Sequence, residues 1–133
     1  RPVRLVVNRD YEQGMTSSLI CGVKALSEKC QGIMLVLGDQ PAVDSHVIRR
    51  IATAFAGRGI VVPVFQSKHG HPVIFSSSYR EELLHLEDKA GGARSVMAAH
   101  RQEVREVSID SEAVTRDIDD ARDYQLMKER FLP

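Results

Sequence analysis

The chain has 133 residues, and 43% of them are hydrophobic. That length suits a single domain, 1–133, and the hydrophobic share is enough for one buried core. The 18 lysine and arginine residues balance 18 aspartate and glutamate residues, which excludes recruitment of nucleic acid by net charge. No apolar run is long enough for a transmembrane helix, so we expect no membrane partner. Cys21 and Cys30 are too few for a disulfide framework or a zinc cluster, which favours a reduced, cytoplasmic location.

Predicted strands and helices alternate in the first half of the chain. Segment 4–8 reads as a short strand, and apolar residues recur at helical spacing in segment 15–29. The apolar run 33–37 is typical of a buried parallel strand, although periodicity alone also allows a buried helical piece. A helix capped by Asp44 follows. The strand–helix–strand order predicts a right-handed parallel crossover.

The second half predicts a hairpin, three helices and one more strand. Strand 60–65 contains Pro63, which indicates an edge strand, a bulge or an early strand end. A short turn separates it from strand 71–75, so the two should be antiparallel neighbours. The remaining elements are a helix 78–86 opened by a Ser78–Glu81 capping box, a helix 92–100, a strand 103–109, an acidic loop, and a helix 121–131 with Tyr124, Met127 and Phe131 facing inward.

Asp39 stands just beyond the apolar run 33–37, between Gly38 and a residue pair that ends in Pro41. Open α/β sheets bind ligands beyond the carboxyl ends of their strands. A lone carboxylate at that place is a typical ligand for Mg²⁺, which keeps several waters and binds substrate phosphates. Asp39 is therefore a candidate metal ligand. The alternative is a turn aspartate that caps the following helix.

A second acidic segment, 117–120, precedes the last predicted helix. Alternation in an extended chain puts Asp117 and Asp119 on one face. Together with Asp39 they could hold one Mg²⁺ between two carboxylates and a triphosphate. The alternative is a solvated acidic loop that caps the last helix, and composition alone favours that alternative.

Two further places could contact a ligand. Segment 14–18 opens a helix with small hydroxyl residues, which suits an anion or a nucleotide, but also suits ordinary N-capping. His69 and His71 are close enough along the chain to bind a transition metal. No third ligand is evident nearby, and a polar turn leading into a strand is the alternative.

Five short motifs follow one another along the chain. They are Gly38-Asp39-Gln40-Pro41, segment 8–22, segment 70–75, segment 92–94 and segment 117–119. In this order and at about this spacing they resemble the MobA-like nucleotidyltransferases, specifically the molybdenum cofactor cytidylyltransferases. The resemblance covers nearly the whole chain. It implies an α/β fold of the nucleotide-diphospho-sugar transferase type, with a Rossmann-like, mostly parallel sheet and helices on both faces.

The resemblance also implies a reaction and a metal. CMP would pass from CTP to the phosphate of a molybdopterin-type cofactor, with release of pyrophosphate. Mg²⁺ would be held by Asp39 and Asp119. Asp117 is a rival ligand, because residues 120–122 depart from the family pattern.

The same resemblance assigns contacts to the two substrates. Gly14 and Ser18, with Ser17 as their neighbour, would line the nucleotide pocket, while His71 would position the acceptor. Arg94 could contact a phosphate or a pterin, since its planar fork suits both, and an exposed helix arginine is the alternative. Near Arg94 the chain departs from the family, which has an aspartate where Ala90 stands here; Asp88 is displaced by two positions.

One part of the family pattern is not found in this sequence. The family begins with a strand and a glycine-rich loop that cradles the triphosphate, and residues 1–8 here correspond to the family's third strand. We therefore expect an N-terminally incomplete domain, the C-terminal part of a MobA-like nucleotidyltransferase, with little activity of its own. GTP in place of CTP, a different acceptor, and a non-catalytic module that presents the cofactor to a molybdoenzyme of the xanthine dehydrogenase type are alternatives. A homodimer is one candidate assembly.

Overall fold

A five-stranded sheet forms the centre of this computed structural model, which describes residues 3–131. The strands are β1 Gly32–Leu35, β2 Ile60–Phe65, β3 Lys68–His69, β4 Val73–Ser76 and β5 Val104–Ser108. The helices are α1 Met15–Ala25, α2 Ser45–Ala54, α3 Arg80–Leu84, α4 Ala93–Ala99 and α5 Ala121–Phe131. Every helix and strand predicted from residue 15 onward is present, with ends that differ by a few residues.

The strand pairing makes the sheet a mixed one. β4 pairs antiparallel with both β1 and β2, and β5 pairs parallel with β2. Hence β1, β2 and β5 share one direction, and β4 runs against them. The short β3 is also antiparallel to β2. The α/β fold is confirmed, and so is the predicted hairpin between strands 60–65 and 71–75.

Buried side chains pack on both faces of the sheet. Along β2, Ile60 and Val62 face one way and Val61 the other, as strand alternation requires. The first face packs against α1, α3 and α4, with Val23, Leu83 and Val96 among the buried contacts. The second face packs against α2 through Val47 and Ile51 and reaches Val114 in a 3₁₀ turn near the carboxyl end of the chain. Helices on both faces are therefore confirmed.

Pro63 lies inside β2, and the chain opposite it forms a bulge. Val61 pairs with Ile74 and Val64 pairs with His69, so the four residues 70–73 lie opposite only two residues of β2, 62 and 63. The Gly70 amide donates to the Pro63 carbonyl at 2.9 Å, so the side of Pro63 that lacks an N–H faces this bulge. Of the predicted alternatives for Pro63, the structure shows the bulge, because a proline cannot serve the regular ladder there.

Residues 4–8 do not form the predicted strand. Val3, Leu5 and Val7 are 82%, 89% and 80% exposed. A strand needs a neighbour for its backbone groups, and the described part of the chain places none beside this segment. Instead, the Arg4 side chain donates to the carbonyl of Ala25 at the end of α1. The predicted crossover from this strand to β1 is therefore absent as well.

Helix ends show one correct and one incorrect capping prediction. Asp44 caps α2 by accepting from the amides of His46 and Val47, each at 2.8 Å. The Ser78 capping box is wrong, since the hydroxyl of Ser76 caps the preceding 3₁₀ turn instead. No helix within residues 3–131 has the length and apolar character to cross a bilayer.

The inward face predicted for the last helix is only partly correct. Met127 is 4% exposed, whereas Tyr124 is 46% exposed and faces solvent. The side chain of Phe131 lies outside the described residues. Periodicity located the helix but not the width of its buried face, which depends on what the helix packs against.

Candidate functional site

The two acidic segments are joined just beyond the carboxyl end of β1. The Ile118 amide donates to the Asp39 carbonyl at 2.9 Å. The side-chain nitrogen Nε2 of Gln40 donates to Oδ1 of Asp117 at 2.6 Å. Segments 77 positions apart in sequence are thereby held side by side, at the edge where open α/β sheets bind ligands.

Gln40 is the buried member of this arrangement. Gln40 is only 5% exposed, and the Oε1 atom of its side chain has no hydrogen-bond partner. A hydrogen bond to a charged group contributes about 1.5–3 kcal/mol, whereas an unsatisfied buried acceptor costs about 1–3 kcal/mol. The two effects are of similar size, so the net contribution of this glutamine to stability is small. Sequence reasoning missed Gln40, although it lies inside the motif that contains Asp39.

Residues 119–123 organise the start of α5. Oδ1 of Asp120 accepts from the amides of Arg122 and Asp123, each at 2.8 Å, which is the geometry of an N-cap. The Asp119 amide donates to Oδ2 of Asp123 at 3.2 Å. The helix-capping alternative therefore holds for Asp120. Asp117 instead contacts Gln40. One part of the acidic segment therefore joins the Asp39 motif, and the other part caps α5.

The donor atoms at this edge suit a hard divalent cation. Asp39 and Asp117 are exposed carboxylates, and the orphaned Oε1 of Gln40 is a third oxygen nearby. Oxygen donors favour Mg²⁺ or Mn²⁺ over the softer transition metals. No three His, Cys, Asp or Glu side chains within residues 3–131 form a ready-made metal site. An ion at this edge would need water or substrate phosphates to complete its coordination.

His71 is presented by the bulge that follows β3. A Cβ atom on the preceding Gly70 would lie 2.0 Å from the carbonyl oxygen of Val114, so only glycine fits there. The His71 amide donates to the same carbonyl at 2.7 Å. The Nδ1 atom of His71 is buried and has no hydrogen-bond partner. The backbone around His71 is thus held firmly, while the Nδ1 atom of its ring is left without a hydrogen-bond partner.

Burial lowers the pKa of His71 from its usual value of 6.5, and the positive charge of Arg94 lowers the pKa further. The backbone of Leu35 and the negative charges of Asp117 and Asp39 act in the opposite direction. Burial is the largest of these causes, so the imidazole is neutral near pH 7. The same interactions show that His71 lies within electrostatic reach of Asp39, Asp117 and Arg94.

A cleft of about 720 Å³ opens beside His71, between the sheet and α4. Side chains of β1, β2, β4 and β5 contribute an apolar floor, and Met97 of α4 lies opposite. Arg94 and Arg101 supply positive charge. At the rim, Nε2 of His69 contacts Oε1 of Glu106 at 2.6 Å. The volume lies within the range of about 300–1,000 Å³ that is usual for small-molecule sites.

The start of α1 is occupied by a side chain of the protein itself. Oδ1 of Asp88 accepts from the Thr16 amide at 3.2 Å and also from the Thr16 hydroxyl. Gly14 has a φ of 110°, which favours glycine, and a Cβ atom there would lie 2.0 Å from Oδ2 of Asp88. A carboxylate therefore takes the place that an anionic ligand would take at this helix start.

Asn8 connects the remaining residues of this helix start. Its Nδ2 donates to Oγ of Ser17 at 2.8 Å and to Oγ of Ser18 at 2.9 Å. The Ser17 hydroxyl donates to the carbonyl of Asp10 at 3.0 Å and to that of Gly14 at 2.8 Å. Gly14, Ser17 and Ser18 thus lie together, and their proposed contact with a nucleotide stays a prediction.

Comparison with known protein families matches residues 1–104 to the MobA-like NTP transferase domain. This match spans well over half of the chain. The chain belongs to the MobA-like NTP transferase family. The resemblance inferred from the five motifs is confirmed at the level of the family.

Relatives of known structure share the fold. Rv0371c from Mycobacterium tuberculosis H37Rv is 32% identical, with a TM-score of 0.74 over 86% of this chain and 59% of that chain. Its complex with manganese is 31% identical, with a TM-score of 0.69 over 84% and 59% of the two chains. A homologue from Mycobacterium sp. strain JC1 is 25% identical, with a TM-score of 0.71 over 86% and 57%.

A curated relative is nicotine blue oxidoreductase from Paenarthrobacter nicotinovorans. It is 26% identical over an alignment of 125 residues, and the match covers 89% of this chain and 61% of that protein. The chain therefore spans about three-fifths of the length of the relatives named here.

Within this MobA-like fold, the predicted site residues fall into two groups. Asp39, Asp117, His71 and Arg94 meet around one end of the sheet. Gly14, Ser17 and Ser18 surround the start of α1, against Asp88. The segment from Asp88 to Arg94 runs between the groups. Gly92 in this segment packs against Thr16, since a Cβ atom added to Gly92 would lie 3.1 Å from the Thr16 hydroxyl oxygen.

Proposed function

We propose that the protein to which this chain belongs transfers CMP from CTP to a molybdopterin-type cofactor and releases pyrophosphate. The observation that carries the proposal is the joining of the two acidic segments by the Ile118–Asp39 and Gln40–Asp117 hydrogen bonds. Asp39 and Asp117 lie within electrostatic reach of His71, which lines a cleft with two arginines. Family membership supports nucleotidyl transfer, and the choice of CTP and of the pterin rests on the motif resemblance.

The carboxylates would hold a divalent cation on the triphosphate. Asp39 is the first ligand, and the resemblance assigns the second to Asp119, with Asp117 as its rival. When bound, Mg²⁺ neutralises charge on the phosphates and fixes their geometry. The manganese complex of a relative supports a divalent cation for this family.

The transfer itself requires little acid–base catalysis by the protein. An oxygen of the acceptor phosphate forms a bond to the α-phosphorus of CTP, and the bond from that phosphorus to the pyrophosphate oxygen breaks. The acceptor phosphate is already anionic, so no general base is needed. His71 is neutral near pH 7 and would position the acceptor rather than remove a proton. The apolar floor of the cleft would hold the pterin, and Arg94 would contact its phosphate.

A second candidate function comes from a relative's name. Nicotine blue oxidoreductase is 26% identical over most of this chain. An oxidoreductase built on the same fold would use the apolar cleft for an aromatic substrate. GTP transfer, and a non-catalytic module that passes the cofactor to a molybdoenzyme of the xanthine dehydrogenase type, are further variants of the first proposal.

The test uses the whole natural polypeptide that contains this chain. It is incubated with Mg²⁺, molybdopterin cofactor, and either CTP or GTP, and both pyrophosphate and the mass of the product are measured. We expect a cytidylated pterin and stoichiometric pyrophosphate with CTP. Pterin-dependent pyrophosphate release with GTP alone would reassign the nucleotide. A parallel incubation contains a reduced nicotinamide cofactor and an oxidised aromatic dye as the electron acceptor. Transfer of two electrons from the cofactor to the dye, without nucleotidyl transfer in the first incubation, would favour the oxidoreductase. Gel filtration of the same sample tests the proposed homodimer.

A further inference from the structure

The acidic edge contains a buried polar contact with a small net contribution to stability. Gln40 is nearly fully buried, yet of its two side-chain polar atoms only Nε2 has a partner, and that partner is Asp117. An apolar side chain of similar length would fill the same space and leave no oxygen unsatisfied. The hydrogen bond from Nε2 to Asp117 is therefore the best explanation for a buried amide whose Oε1 atom has no partner.

The bond from Gln40 fixes the direction of one carboxylate among several. It takes Oδ1 of Asp117 and leaves Oδ2 of that exposed residue available. Because Gln40 follows Asp39 directly and the Asp39 carbonyl accepts from Ile118, the two carboxylate-bearing residues cannot drift apart without breaking two hydrogen bonds.

Asp119 is placed differently. Its own amide bonds to Asp123, and the next residue, Asp120, caps α5. The contacts of residues 119–123 therefore tie this part of the segment to a helix. Within residues 3–131, no hydrogen bond joins Asp119 to Asp39 or Gln40. The fold supports Asp117, and not Asp119, in a fixed position toward the end of β1.

We propose that Gln40 is a positioning residue that orients Asp117, and that Asp117 rather than Asp119 is the second carboxylate, beside Asp39, for a divalent cation. The assignment rests on the proposed function for its biological meaning, but cation binding can be measured without any transfer. Metal ligands are commonly oriented by such hydrogen-bonded neighbours, whose removal lowers metal affinity.

The test measures Mn²⁺ binding in the absence of nucleotide, by water proton relaxation, on the natural polypeptide and its variants. We expect Asp117→Asn to lower Mn²⁺ affinity at least about 10-fold, and Gln40→Met to lower it about 10-fold. Asp119→Asn should change it by less than about twofold. Asp110→Asn, which removes an exposed carboxylate outside the two joined segments, is the matched charge control and should also have little effect.

A double variant separates positioning from general damage. If Gln40 acts through Asp117, Gln40→Met should cost nothing further once Asp117→Asn is present. An equal loss in both backgrounds would overturn the positioning role. A larger loss for Asp119→Asn than for Asp117→Asn would overturn the assignment, and so would the absence of Mn²⁺ binding to the unaltered protein. The comparison of Asp117 with Asp119 does not depend on Gln40→Met folding, because both of these residues are exposed.

The outcome is independent of the transferase assay. Mn²⁺ binding in the expected order without any nucleotidyl transfer would refute the proposed function and leave the cation site standing. Nucleotidyl transfer, together with a larger loss of Mn²⁺ affinity in Asp119→Asn than in Asp117→Asn, would support the proposed function and refute the assignment of Asp117.

Discussion

At the scale of single residues, the chemistry concentrates on a few side chains with unusual surroundings. His71 has a buried ring nitrogen without a partner, and Gln40 has a buried oxygen without one. Native proteins satisfy most of their buried polar groups, so each exception calls for an explanation. Both exceptions lie at the edge where Asp39 and Asp117 meet.

The pKa of His71 offers a direct test of this proximity. In chelator-treated protein, an NMR titration of the imidazole should give a pKa below 6.5, so the ring is neutral at pH 7. Asp117→Asn removes a charge that raises the pKa and should lower it further, while Arg94→Met should raise it. Asp110→Asn serves as the control and should leave the titration unchanged. A pKa that rises in Asp117→Asn, or falls in Arg94→Met, would contradict the charge interactions of these residues with His71.

Asp39 offers the matching test of catalysis. Because Asp39 is exposed, Asp39→Asn should leave the melting temperature within about 2 °C of the parent, an expected shift for a surface change of small ΔΔG. Mg²⁺-dependent transfer by the full polypeptide should fall by at least about 100-fold, because a ligand to the cation is lost. Steady-state rates of pyrophosphate release measure this, and circular dichroism controls for folding. Turnover equal to that of the parent would remove Asp39 from the metal site.

At the scale of elements, the bulge between β3 and β4 positions the side chain of His71. Four residues there lie opposite two on β2, so the chain leaves the ladder and directs His71 toward the cleft. Bulges often re-aim a side chain beside a binding site. The close approach of Gly70 to Val114 shows that the bulge also packs against the segment that leads to Asp117.

Gly70→Ala should therefore damage both stability and the site. The added Cβ would lie 2.0 Å from a backbone oxygen, and the backbone must shift to relieve it. We expect a loss of about 1–3 kcal/mol in the free energy of unfolding, as for other overpacked positions. Urea denaturation measures it. Gly22→Ala is the control, since that Cβ would meet nothing within 4 Å inside α1 and should stabilise slightly. Equal effects of the two variants would contradict the close packing.

At the scale of the whole molecule, the acidic edge and the occupied helix start bear on nucleotide binding. A triphosphate carries several negative charges, and Asp39, Asp117 and Asp88 add more at the places described. The cations at the cleft are Arg94 and Arg101. The chain also spans about three-fifths of the relatives it matches.

We therefore expect the 133-residue chain to bind CTP weakly when it is prepared by itself. Calorimetric titration with CTP and Mg²⁺ should give a dissociation constant above about 100 μM, equivalent to less than about 5.5 kcal/mol of binding free energy. The natural polypeptide, titrated under the same conditions, is the comparison and should bind more tightly. Micromolar binding by the 133-residue chain, together with pyrophosphate release, would show that it contains a complete nucleotide site.

Much of the fold could be read from local patterns, because they depend on neighbours in sequence. The apolar run that contains β1, the Asp44 cap of α2 and the hairpin around Pro63 were all predictable. Segment 4–8 was not, because a strand forms only where another strand completes its hydrogen bonds. Its alternating apolar residues look the same in sequence whether or not a partner is present.

The sequence alone determined the family, the α/β class and the acidic residues that could hold a cation, since each of these depends on residue types in a fixed order. Only the tertiary structure decided which acidic residues meet. Asp117 and Asp119 are equivalent by alternation, and only the buried amide of Gln40, 77 positions away, tells them apart. In the same way, Asp88 became part of the α1 start through a contact across 72 positions. Such contacts are set by how the elements pack, and packing has no signature in the local sequence.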